Sequence, residues 1–454
     1  MTQKTQFNMT TSEAAQALSA QHKGEDVLLN GVSTDTRTLC GGELYIALKG
    51  PNFDGHDFVS QAIAKGAMAV MVDHDMQLDI PQLIVRDTRL AMGQLARYWR
   101  EQFSIPVIGV TGSNGKTTVK EMLASILSGL GEVHATKGNL NNDIGVPLTL
   151  FQLGEQHTSA VIEMGANHAG EIEYLVNIAN PDVAIITNAG AAHLEGFGSL
   201  EGVANAKGEI FAGLSQEGTA IVNADDRFAS LWRDIVGSRN RIEFGLEQDA
   251  DVSADFTSTV NGNEVTVMAS GEEFKFSLSL LGRHNVMNAL AAIAATIAIK
   301  VPTDVITKGL EAMQAVAGRL QARAGVNGSR IIDDTYNANP TSVVAGITVL
   351  TDIAGEHFLA LGDMGELGAN EEALHREVGQ QARQQGVDRL YTIGELARHA
   401  ANEFGEHAYS FEEHDSMIAA LNNDLHKDAS LLVKGSRRMH MERVVEALTI
   451  EKGA

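Results

Sequence analysis

A glycine-rich segment combines a lysine with three threonines in an order suited to phosphate chemistry. In "GVTGSNGKTTVKEML", residues 109–123, an apolar run leads through a loop into a helical pattern. The N–H groups of such a loop and of the helix N-terminus bind phosphates, its lysine reaches the terminal phosphates, and the next hydroxyl can ligate Mg²⁺. The segment therefore predicts a nucleotide site formed by Thr111, Gly112, Ser113, Asn114, Gly115, Lys116, Thr117 and Thr118.

One position departs from the strict pattern G-x-x-x-x-G-K-[ST]. Val110 stands where the first glycine is expected, and Gly109 lies one residue earlier. The alternative is a glycine-rich turn that holds no ligand. The complete order of strand, loop, Lys-Thr-Thr and helix favours ATP or GTP binding.

Two further side chains are predicted to lie beside this loop. Glu163 follows the apolar run "AVI", and His193 follows "AIITNAGAA". At the carboxyl ends of neighbouring parallel strands, both would lie where the metal ligands of a nucleotide site are placed. Each alone has a simpler interpretation, a solvated or capping glutamate and a structural histidine. Their joint position favours metal ligation.

Lys207 lies on the apolar face of a predicted helix that begins near Ser199. That face is formed by Leu200, Val203, Ile210, Phe211 and Leu214. A buried, unpaired ammonium is costly, but a long side chain can reach water past the edge of a core. A second interpretation is a lysine carbamate, formed with CO₂, which would offer two anionic oxygens to Mg²⁺. The spacing alone favours the first interpretation and leaves the second open.

Later segments supply polar groups at similar positions. The helix start in "LLGRHNVMNALAA" carries Asn285 and Asn288, which could read an adenine edge or cap and pack the helix, and Arg319 in "GRLQ" is a phosphate-directed cation. "DDTYNANP", residues 333–340, is a polar loop after an apolar strand, where ligand groups lie in such sheets. A strand-to-helix turn suited to a carboxylate contains Lys434, Ser436 and Arg437.

Alternating apolar runs and helical stretches predict an α/β fold with a parallel, doubly wound central sheet. Residues 251–282 instead alternate with period two around Asn261-Gly262, which predicts an antiparallel appendage. We expect three domains: a small α/β domain over residues 1–83, the central nucleotide-binding domain over 84–318, and a third α/β domain over 319–454.

Composition limits the class of partner. The 454 residues carry a net charge of −24, which disfavours nucleic acid or an anionic membrane held by bulk electrostatics. The single cysteine, Cys40, excludes an intramolecular disulfide and fits a reducing compartment. The N-terminus lacks signal-peptide features, and the most apolar run, residues 289–299, is too short to span a bilayer. We expect a cytoplasmic protein without membrane insertion.

Motifs along nearly the whole chain resemble those of the Mur ligases, which build the peptide stem of the peptidoglycan precursor. In order they are "TGSNGKTT", "GNLNNDIG", "EMG", "NAGAAHLEGFGS", "AKGEIF", "LGRHNVMNALAA", "DDTYNANP" and "LVKGSR". "HLEGFGS", "DDTYNANPTS" and "LGDMGELG" look most like the member that adds D-alanyl-D-alanine to UDP-N-acetylmuramoyl-tripeptide. The Asp-Asn-Pro-Arg motif of diaminopimelate-adding relatives is absent, because the comparable loop reads Asn339-Pro340-Thr341.

The resemblance implies a UDP-binding N-terminal domain, a central ATPase and a C-terminal Rossmann-like domain, and we expect a monomer. It implies that the terminal carboxylate of the tripeptide attacks the γ-phosphate of ATP and forms an acyl phosphate. The amine of the dipeptide then attacks the acyl carbon and phosphate leaves. Two Mg²⁺ ions and Lys116 screen the charges that must meet.

The resemblance also implies roles for single residues. By this resemblance, one Mg²⁺ binds to Thr117 and Glu163, and the second binds to Glu163, His193 and a carbamylated Lys207. The resemblance also implies that Asn285 and Asn288 contact the adenine and that Asp334 contacts the ribose. The phosphates are contacted by Arg319, Tyr336 and Asn339. The segment "VSTDTR" resembles a uridine-nucleotide loop and supplies Ser33, Thr34, Asp35 and Arg37. Asn139 and Asn142 either face the stem peptide or only stabilise their loop.

Two alternatives remain at this point. The first is another amide ligase with the same ATPase core, either a sister Mur enzyme or a protein like folylpolyglutamate synthetase. The "VSTDTR" domain disfavours the folate enzyme, and the missing Asp-Asn-Pro-Arg motif disfavours diaminopimelate addition. The second is a nucleotide-dependent switch or binding module, whose ATP hydrolysis would not depend on an amino-group substrate.

Overall fold

The computed structural model describes residues 7–191, 194–259 and 262–450. Within these ranges the chain forms sheets of five, nine and six strands, in chain order, and two short two-stranded ribbons. The largest sheet belongs to the middle of the chain and positions most of the predicted nucleotide-site residues.

The five-stranded sheet lies in the N-terminal part of the chain. Its order is β2-β9-β8-β5-β4, and all neighbours are parallel except β2 with β9. The apolar runs "LYI" and "AVMV" are buried, which fits strands covered on both faces. The elements are β1 Met9–Thr10, α1 Thr11–Leu18, β2 Gln21–Lys23, β3 Leu28–Leu29, β4 Val32–Ser33, β5 Leu44–Ile46, β6 Lys49–Gly50, β7 Phe53–Asp54, α2 Val59–Ala64, β8 Ala69–Val72, β9 Gln82–Ile84 and α3 Thr88–Arg100.

The nine-stranded sheet has the order β11-β12-β10-β13-β14-β15-β16-β17-β18. Its first six strands are parallel, and several are entirely buried, as expected for strands with helices on both faces. The elements are β10 Val107–Thr111, α4 Lys116–Leu127, β11 Glu132–Ala135, α5 Gly145–Leu150, β12 His157–Glu163, α6 Glu171–Ala179, β13 Val183–Ile186, α7 Leu194–Phe197, α8 Leu200–Ala212, β14 Thr219–Asn223, α9 Ala229–Val236, β15 Asn240–Gly245, β16 Val252–Thr259, β17 Gly262–Ala269, β18 Glu272–Leu278, α10 Arg283–Ala298 and α11 Thr303–Glu311.

The antiparallel appendage is confirmed and turns out to continue the central sheet. β16 pairs in parallel with β15, and β16, β17 and β18 then pair antiparallel. The register places Phe256 opposite Val265, and Val265 opposite Phe276. Asn261 of the predicted turn lies outside the described residues.

The six-stranded sheet forms the C-terminal part with the order β19-β20-β24-β21-β22-β23. Only the edge strand β19 is antiparallel to its neighbour. The elements are β19 Gln321–Ala324, β20 Arg330–Asp334, α12 Pro340–Thr351, β21 Glu356–Gly362, α13 Glu371–Gln384, β22 Arg389–Ile393, α14 Ala397–Phe404, β23 Ala408–Phe411, α15 His414–Asp424, β24 Ala429–Lys434 and α16 Glu442–Leu448.

Two helices predicted from the sequence are found with their expected character. α8 begins after Ser199, whose side chain accepts a hydrogen bond from the N–H of Gly202 and so caps the helix. α10 contains most of the apolar run at 289–299 and is largely buried between sheet and neighbouring helices. None of the helices in the described ranges has the length and apolar character needed to cross a membrane.

The central sheet has a topological switch at β10. Its neighbours are β12 and β13, so the crossovers on its two sides run in opposite directions. Ligands of doubly wound sheets bind in the crevice at the carboxyl ends of strands at such a point. The α/β fold with three domains is confirmed, and the boundaries at residues 83 and 318 stay predictions.

Candidate active site

A cavity of about 1180 Å³ lies between the carboxyl ends of the central strands and the C-terminal sheet. Both parts of the chain contribute to its walls, so the sequence-distant candidates meet in one place. The predicted residues that line it are Ser113, Asn114, Gly115, Lys116, Thr117, Thr118, Asn139, Asn142, Glu163, Asn285, Asn288, Arg319, Asp334, Tyr336, Asn339 and Lys434.

The glycine-rich loop leaves β10 at the switch point and enters α4. Gly112 and Gly115 have φ angles of +145° and +82°, which residues with a side chain rarely adopt. A Cβ atom on Gly112 would lie 1.9 Å from Oγ1 of Thr187, and one on Gly115 would lie 2.4 Å from Oδ1 of Asn288. Both glycines are therefore required by backbone conformation and by close packing.

Side chains after β13 hold this loop in place. The carbonyl of Asn114 accepts hydrogen bonds from Thr187 Oγ1 at 2.5 Å and Asn188 Nδ2 at 3.1 Å. The N–H of Asn114 donates to Asn188 Oδ1 at 3.0 Å, and Ser113 Oγ donates to the Gly190 carbonyl at 3.1 Å. The loop is thus shaped by the neighbouring strand end.

Lys116 begins α4, and its ammonium turns back over the loop. Its Nζ donates to the carbonyls of Gly112 and Ser113 at 2.6 and 3.3 Å. Enclosure by protein lowers the pKa of Lys116, while the nearby carboxylate of Glu163 acts in the opposite direction. Nζ of Lys116 thus lies on the cavity wall at the base of the loop.

Glu163 ends β12 and is fixed by three neighbours. Its Oε2 accepts from Thr117 Oγ1 and its Oε1 from Asn141 Nδ2, both at 2.9 Å. Its backbone N–H donates to Thr136 Oγ1 at 3.0 Å. Glu163 is buried, so this arrangement holds its carboxylate in one orientation beside the loop.

The hydroxyl and carboxylate of this pair fit a Mg²⁺ site. Thr117 and Glu163 offer hard oxygen ligands next to the phosphate loop, which is the donor set that Mg²⁺ favours. A guanidinium nitrogen of Arg319 also donates to Thr117 Oγ1 at 2.9 Å. Arg319 therefore approaches the same hydroxyl from the C-terminal side of the cavity.

Lys207 is buried on the inward face of α8, as its spacing indicated. Its side chain is only 2% exposed, and its Nζ lies 5.3 Å from the centre of the Phe197 ring. Burial, reinforced by the charge of Lys116, lowers the pKa of Lys207 to about 7, against the opposing effect of Glu209 and Glu171. A substantial neutral amine fraction near neutral pH follows. His193, its predicted neighbour, lies outside the described residues.

The start of α10 forms a second wall. Asn285 Nδ2 donates to the Leu281 carbonyl at 2.8 Å, and Asn288 Nδ2 donates to Asn285 Oδ1 at 3.1 Å. These bonds serve the helix, and both amides also line the cavity. Desolvation lowers the pKa of the neighbouring His284 to about 4, so its ring is neutral at pH 7.

The C-terminal domain contacts the phosphate loop directly. Asn339 caps α12 through its side-chain oxygen, and its Nδ2 donates to Asn114 Oδ1 at 2.9 Å. The Arg319 guanidinium stacks on Tyr336, with its carbon 4.2 Å from the ring centre. Asn339 and Arg319 thus reach the loop and the start of α4 from the other domain, and Tyr336 supports the Arg319 guanidinium.

Of the predicted ribose and carboxylate residues, Asp334 and Lys434 contact each other and line the cavity. Lys434 Nζ forms a short ion pair with Asp334 and also donates to the Asn337 carbonyl at 2.9 Å. Ser436 is buried, with its Oγ unpartnered among the described residues. Arg437 is exposed and pairs with Glu442 at 3.5 Å. Lys434 is therefore engaged by Asp334, while Arg437 points to the surface.

The predicted uridine loop lies apart from this cavity. The described residues that line the cavity do not include Ser33, Thr34, Asp35 or Arg37. The hydrogen bonds that Arg37 donates to Asp35 hold the pKa of that carboxyl below its usual value. Ser33 Oγ donates to the Asp35 carbonyl at 3.1 Å and stabilises the turn. The sequence of this turn gave no sign of its distance from the phosphate loop.

Sequence reasoning missed several residues that support the site. Asn141 and Thr136 orient Glu163, and Thr187 and Asn188 hold the loop. Asn141 lies between Asn139 and Asn142, the two asparagines predicted from "GNLNND". This position in the sequence is the signal by which Asn141 could have been found. Asn142 itself uses its Oδ1 to accept from the Gly145 N–H at 2.8 Å and also lines the cavity. Thr111 donates to the Met164 carbonyl rather than facing the cavity wall.

Family profiles match three consecutive parts of the chain. They are the Mur ligase family catalytic domain at residues 28–100, the Mur ligase middle domain at 110–296, and the Mur ligase glutamate ligase domain at 318–437. Each range falls on one of the three sheets described above, with β2 and the first three residues of β10 outside the matched ranges.

Similar proteins span the whole chain. The UDP-N-acetylmuramoyl-tripeptide–D-alanyl-D-alanine ligase of Escherichia coli strain K12 is 45% identical, over 97% of this chain and 98% of its own. The crystal structure of MurF from Acinetobacter baumannii superposes with a TM-score of 0.92 at 38% identity, over 97% of this chain and 98% of its own. MurF from Thermotoga maritima, in complex with ADP, gives a TM-score of 0.84 at 29% identity, over 92% and 96%. The chain belongs to the Mur ligase family.

Proposed function

We propose that this chain is an ATP-dependent ligase that joins D-alanyl-D-alanine to UDP-N-acetylmuramoyl-tripeptide. The observation that carries the proposal is the single cavity in which the phosphate loop, the Thr117–Glu163 pair and the polar loops of the C-terminal domain meet. The full-length similarity to enzymes named for this reaction supports the choice of substrates.

The reaction proceeds in two balanced steps. An oxygen of the tripeptide's terminal carboxylate attacks the γ-phosphorus of ATP, the bond to the β-phosphate oxygen breaks, and ADP leaves. The amine of D-alanyl-D-alanine then attacks the acyl carbon, loses a proton, and expels inorganic phosphate with the oxygen that came from the carboxylate. Both steps bring anions or dipoles together, so fixed cations stabilise the transition states.

We assign the screening of the first step to Lys116 and Arg319. Lys116 lies at the base of the loop, and Arg319 reaches Thr117 from the C-terminal domain. Asn339 binds the loop beside them and brings the two domains together at the triphosphate. Closure of this kind excludes water that would hydrolyse an acyl phosphate.

Thr117 and Glu163 are the residues we assign to one Mg²⁺, and Glu163, His193 and Lys207 to a second. Bound Mg²⁺ supplies positive charge beside the phosphates and so lowers the repulsion between ATP and the carboxylate. Asn141 and Thr136 hold the Glu163 carboxylate and backbone in the orientation that ligation requires.

We propose that Lys207 is carbamylated. A buried, unmodified ammonium near Lys116 would add positive charge where a metal must bind, whereas a carbamate carries negative charge. The neutral amine fraction, favoured by burial, is the form that reacts with CO₂. The inward position of Lys207 on α8 supports this role.

The remaining parts of the substrates are assigned to the residues predicted for them from the sequence. We assign adenine to Asn285 and Asn288, ribose to Asp334, and an aromatic contact beside the phosphates to Tyr336. The uridine nucleotide is assigned to the turn with Ser33, Thr34, Asp35 and Arg37, the stem peptide to Asn139 and Asn142, and the dipeptide carboxylate to Lys434, Ser436 and Arg437. Because one chain supplies all of these groups, we propose that the enzyme is a monomer. We also propose that it works in the cytoplasm.

Phosphate release tests the proposal. Protein, ATP and Mg²⁺ are incubated with UDP-N-acetylmuramoyl-tripeptide, with and without D-alanyl-D-alanine, and with single D-amino acids or diaminopimelate as replacements. We expect sustained phosphate release and a pentapeptide product only with the dipeptide. Release that is indifferent to the dipeptide would contradict the ligase. Release with diaminopimelate, when UDP-N-acetylmuramoyl-L-alanyl-D-glutamate replaces the tripeptide, would assign the chain to a sister enzyme.

A further inference from the structure

A cluster of histidine and aspartate side chains lies in the N-terminal domain, away from the cavity. His56, Asp73 and His74 each offer a ligand atom, and these atoms lie within 4.8 Å of one another. His56 belongs to a short helix after β7, and Asp73 and His74 directly follow β8. The cluster therefore joins two segments that are distant in sequence.

Both imidazole rings converge on one oxygen of Asp73. Oδ1 of Asp73 lies 3.2 Å from Nε2 of His56 and 2.5 Å from Nδ1 of His74. The rings are stacked, with centres 5.2 Å apart and planes inclined by 23°. Because a carboxylate oxygen only accepts, Nδ1 of His74 carries a proton toward Asp73, and a metal ion that binds both atoms would displace this proton.

Asp54 fixes the ring of His56 from behind. Its Oδ1 lies 2.6 Å from Nδ1 of His56 and accepts the backbone N–H of the same residue at 2.9 Å. Because a carboxylate only accepts, Nδ1 carries the proton and Nε2 turns its lone pair toward Asp73. A carboxylate behind a histidine is the usual outer support of a metal-binding imidazole.

Lys49 limits how Asp73 can act. Its Nζ lies 2.6 Å from Oδ2 of Asp73, which leaves Oδ1 to face the two rings. The backbone N–H of Asp73 approaches Nε2 of His56 at 3.2 Å, a long hydrogen bond that a metal ligand bond would replace. His56 is 7% exposed while the side chain of His74 is 62% exposed, so the cluster is anchored on one side and open on the other.

We propose that His56, Asp73 and His74 form a site for a borderline divalent metal ion such as Zn²⁺, Co²⁺ or Ni²⁺. Two imidazole nitrogens and one carboxylate oxygen match these ions, whereas Mg²⁺ prefers oxygen ligands alone. Water completes the coordination on the open side. The metal ties the short helix Gly55–Phe58 to the end of β8. The site is independent of the proposed ligase reaction.

Metal titration of the full-length protein, without an affinity tag, tests the site. Excess MgCl₂ is present to occupy oxygen-rich sites, and ZnCl₂ binding is followed by calorimetry. We expect His74→Ala to weaken the tightest Zn²⁺ binding by about tenfold or more, and Asp54→Asn, which alters the support of His56, by about tenfold. With Co²⁺ the parent should show visible absorption of a nitrogen-ligated ion, and His74→Ala should lose it.

His168→Ala is the matched control. His168 is similarly exposed, at 67%, and pairs with Glu171 at 3.1 Å, but it has no second histidine in its contacts among the described residues. Its removal should leave Zn²⁺ affinity and the Co²⁺ spectrum unchanged. Equal Zn²⁺ affinity in the parent and His74→Ala, or no Co²⁺ band in the parent, would overturn the proposal. His74→Ala changes an exposed side chain, so we expect its thermal unfolding to match that of the parent. With matching unfolding, a loss of Zn²⁺ binding reports loss of the site and not loss of the fold.

Discussion

At the scale of single residues, charge placement decides the chemistry of this cavity. Glu163 is the one buried carboxylate to which Thr117 and Asn141 both donate, and Lys116 places an ammonium over the same loop. Lys207 is a buried lysine on α8 and is not among the described residues that line the cavity. The charge of Lys116 acts on Lys207 and helps to lower the pKa of its amine, which is part of the reasoning behind the roles proposed for both lysines.

Replacement of Lys116 tests the first of these roles. Lys116→Ala should lower ATP-dependent turnover by about 10²-fold or more, because a fixed cation next to the transferred phosphate is lost. Among the described residues its Nζ donates hydrogen bonds to loop carbonyls alone, so thermal unfolding should be close to that of the parent. Lys308→Ala, which removes an exposed lysine on α11, is the control and should keep full turnover. Parental turnover in Lys116→Ala would refute the role of this lysine.

Replacement of Lys207 tests the carbamate. Lys207→Ala should nearly abolish turnover, and formate or acetate should restore part of it by placing a carboxylate in the space left by the side chain. The same acids should not raise the turnover of the parent. In the parent, ¹³C NMR with labelled bicarbonate should show a carbamate carbon that Lys207→Ala lacks. Absence of both the rescue and the signal would contradict the modification.

At the scale of elements, α4 and its neighbouring strands act as one unit. Lys120 is one turn after Thr117 on α4, and its buried ammonium donates to the Thr136 carbonyl at 2.8 Å. Thr136 in turn accepts the backbone N–H of Glu163. Thr136 therefore links α4 to the end of β12 and fixes both next to the phosphate loop.

A histidine on β11 should make stability depend on pH. His134 bonds through Nε2 to the Thr149 carbonyl of α5 at 2.7 Å, and burial lowers its pKa from 6.5 to about 4. Between these values the unfolded chain binds a proton that the folded chain does not, so stability falls as the pH falls from 6.5 to 4. The full effect of one such shift is about 3 kcal/mol.

Chemical denaturation at several pH values measures this effect. His134→Leu should be less stable than the parent at pH 7.5 and should lose less further stability on acidification to pH 4.5. His168→Ala, which removes an exposed histidine, should keep the parental pH dependence. The same pH dependence in His134→Leu and the parent would contradict the assignment to His134.

Prediction from sequence succeeded where a structural cause is local. The start of α8 near Ser199 and the inward position of Lys207 each depend on residues within one or two turns, so their spacing was sufficient. The hydrogen bond from Arg319 to Thr117 joins residues 202 positions apart, and no local pattern could reveal it. The engagement of Lys434 by Asp334 was missed for the same reason.

At the scale of the whole molecule, the cavity exists only because two domains face each other. The hydrogen bond between Asn339 and Asn114 and that between Arg319 and Thr117 cross from the C-terminal side to the phosphate loop. Elsewhere, Arg100 of α3 is buried and donates to the carbonyls of Ala179 and Asn180, which ties α3 to the end of α6. The parallel central sheet and its antiparallel appendage were predicted from strand patterns, while the strand orders and these junctions were not.

Asn339→Ser tests whether the domain contact serves nucleotide binding. Serine can still cap α12, but its side chain is too short to donate to Asn114. We expect the KM for ATP to rise by up to about tenfold, which corresponds to one lost neutral hydrogen bond, with little change in thermal stability. An unchanged KM for ATP would show that this contact is not used with nucleotide bound.

The most direct test of the proposed reaction follows one oxygen atom. UDP-N-acetylmuramoyl-tripeptide labelled with ¹⁸O in its terminal carboxylate is converted with ATP, Mg²⁺ and D-alanyl-D-alanine, and the released phosphate is analysed by mass spectrometry. An acyl-phosphate intermediate transfers one carboxylate oxygen to phosphorus, so the account predicts one ¹⁸O in each phosphate formed from fully labelled substrate. Phosphate without ¹⁸O, released together with the pentapeptide, would contradict it.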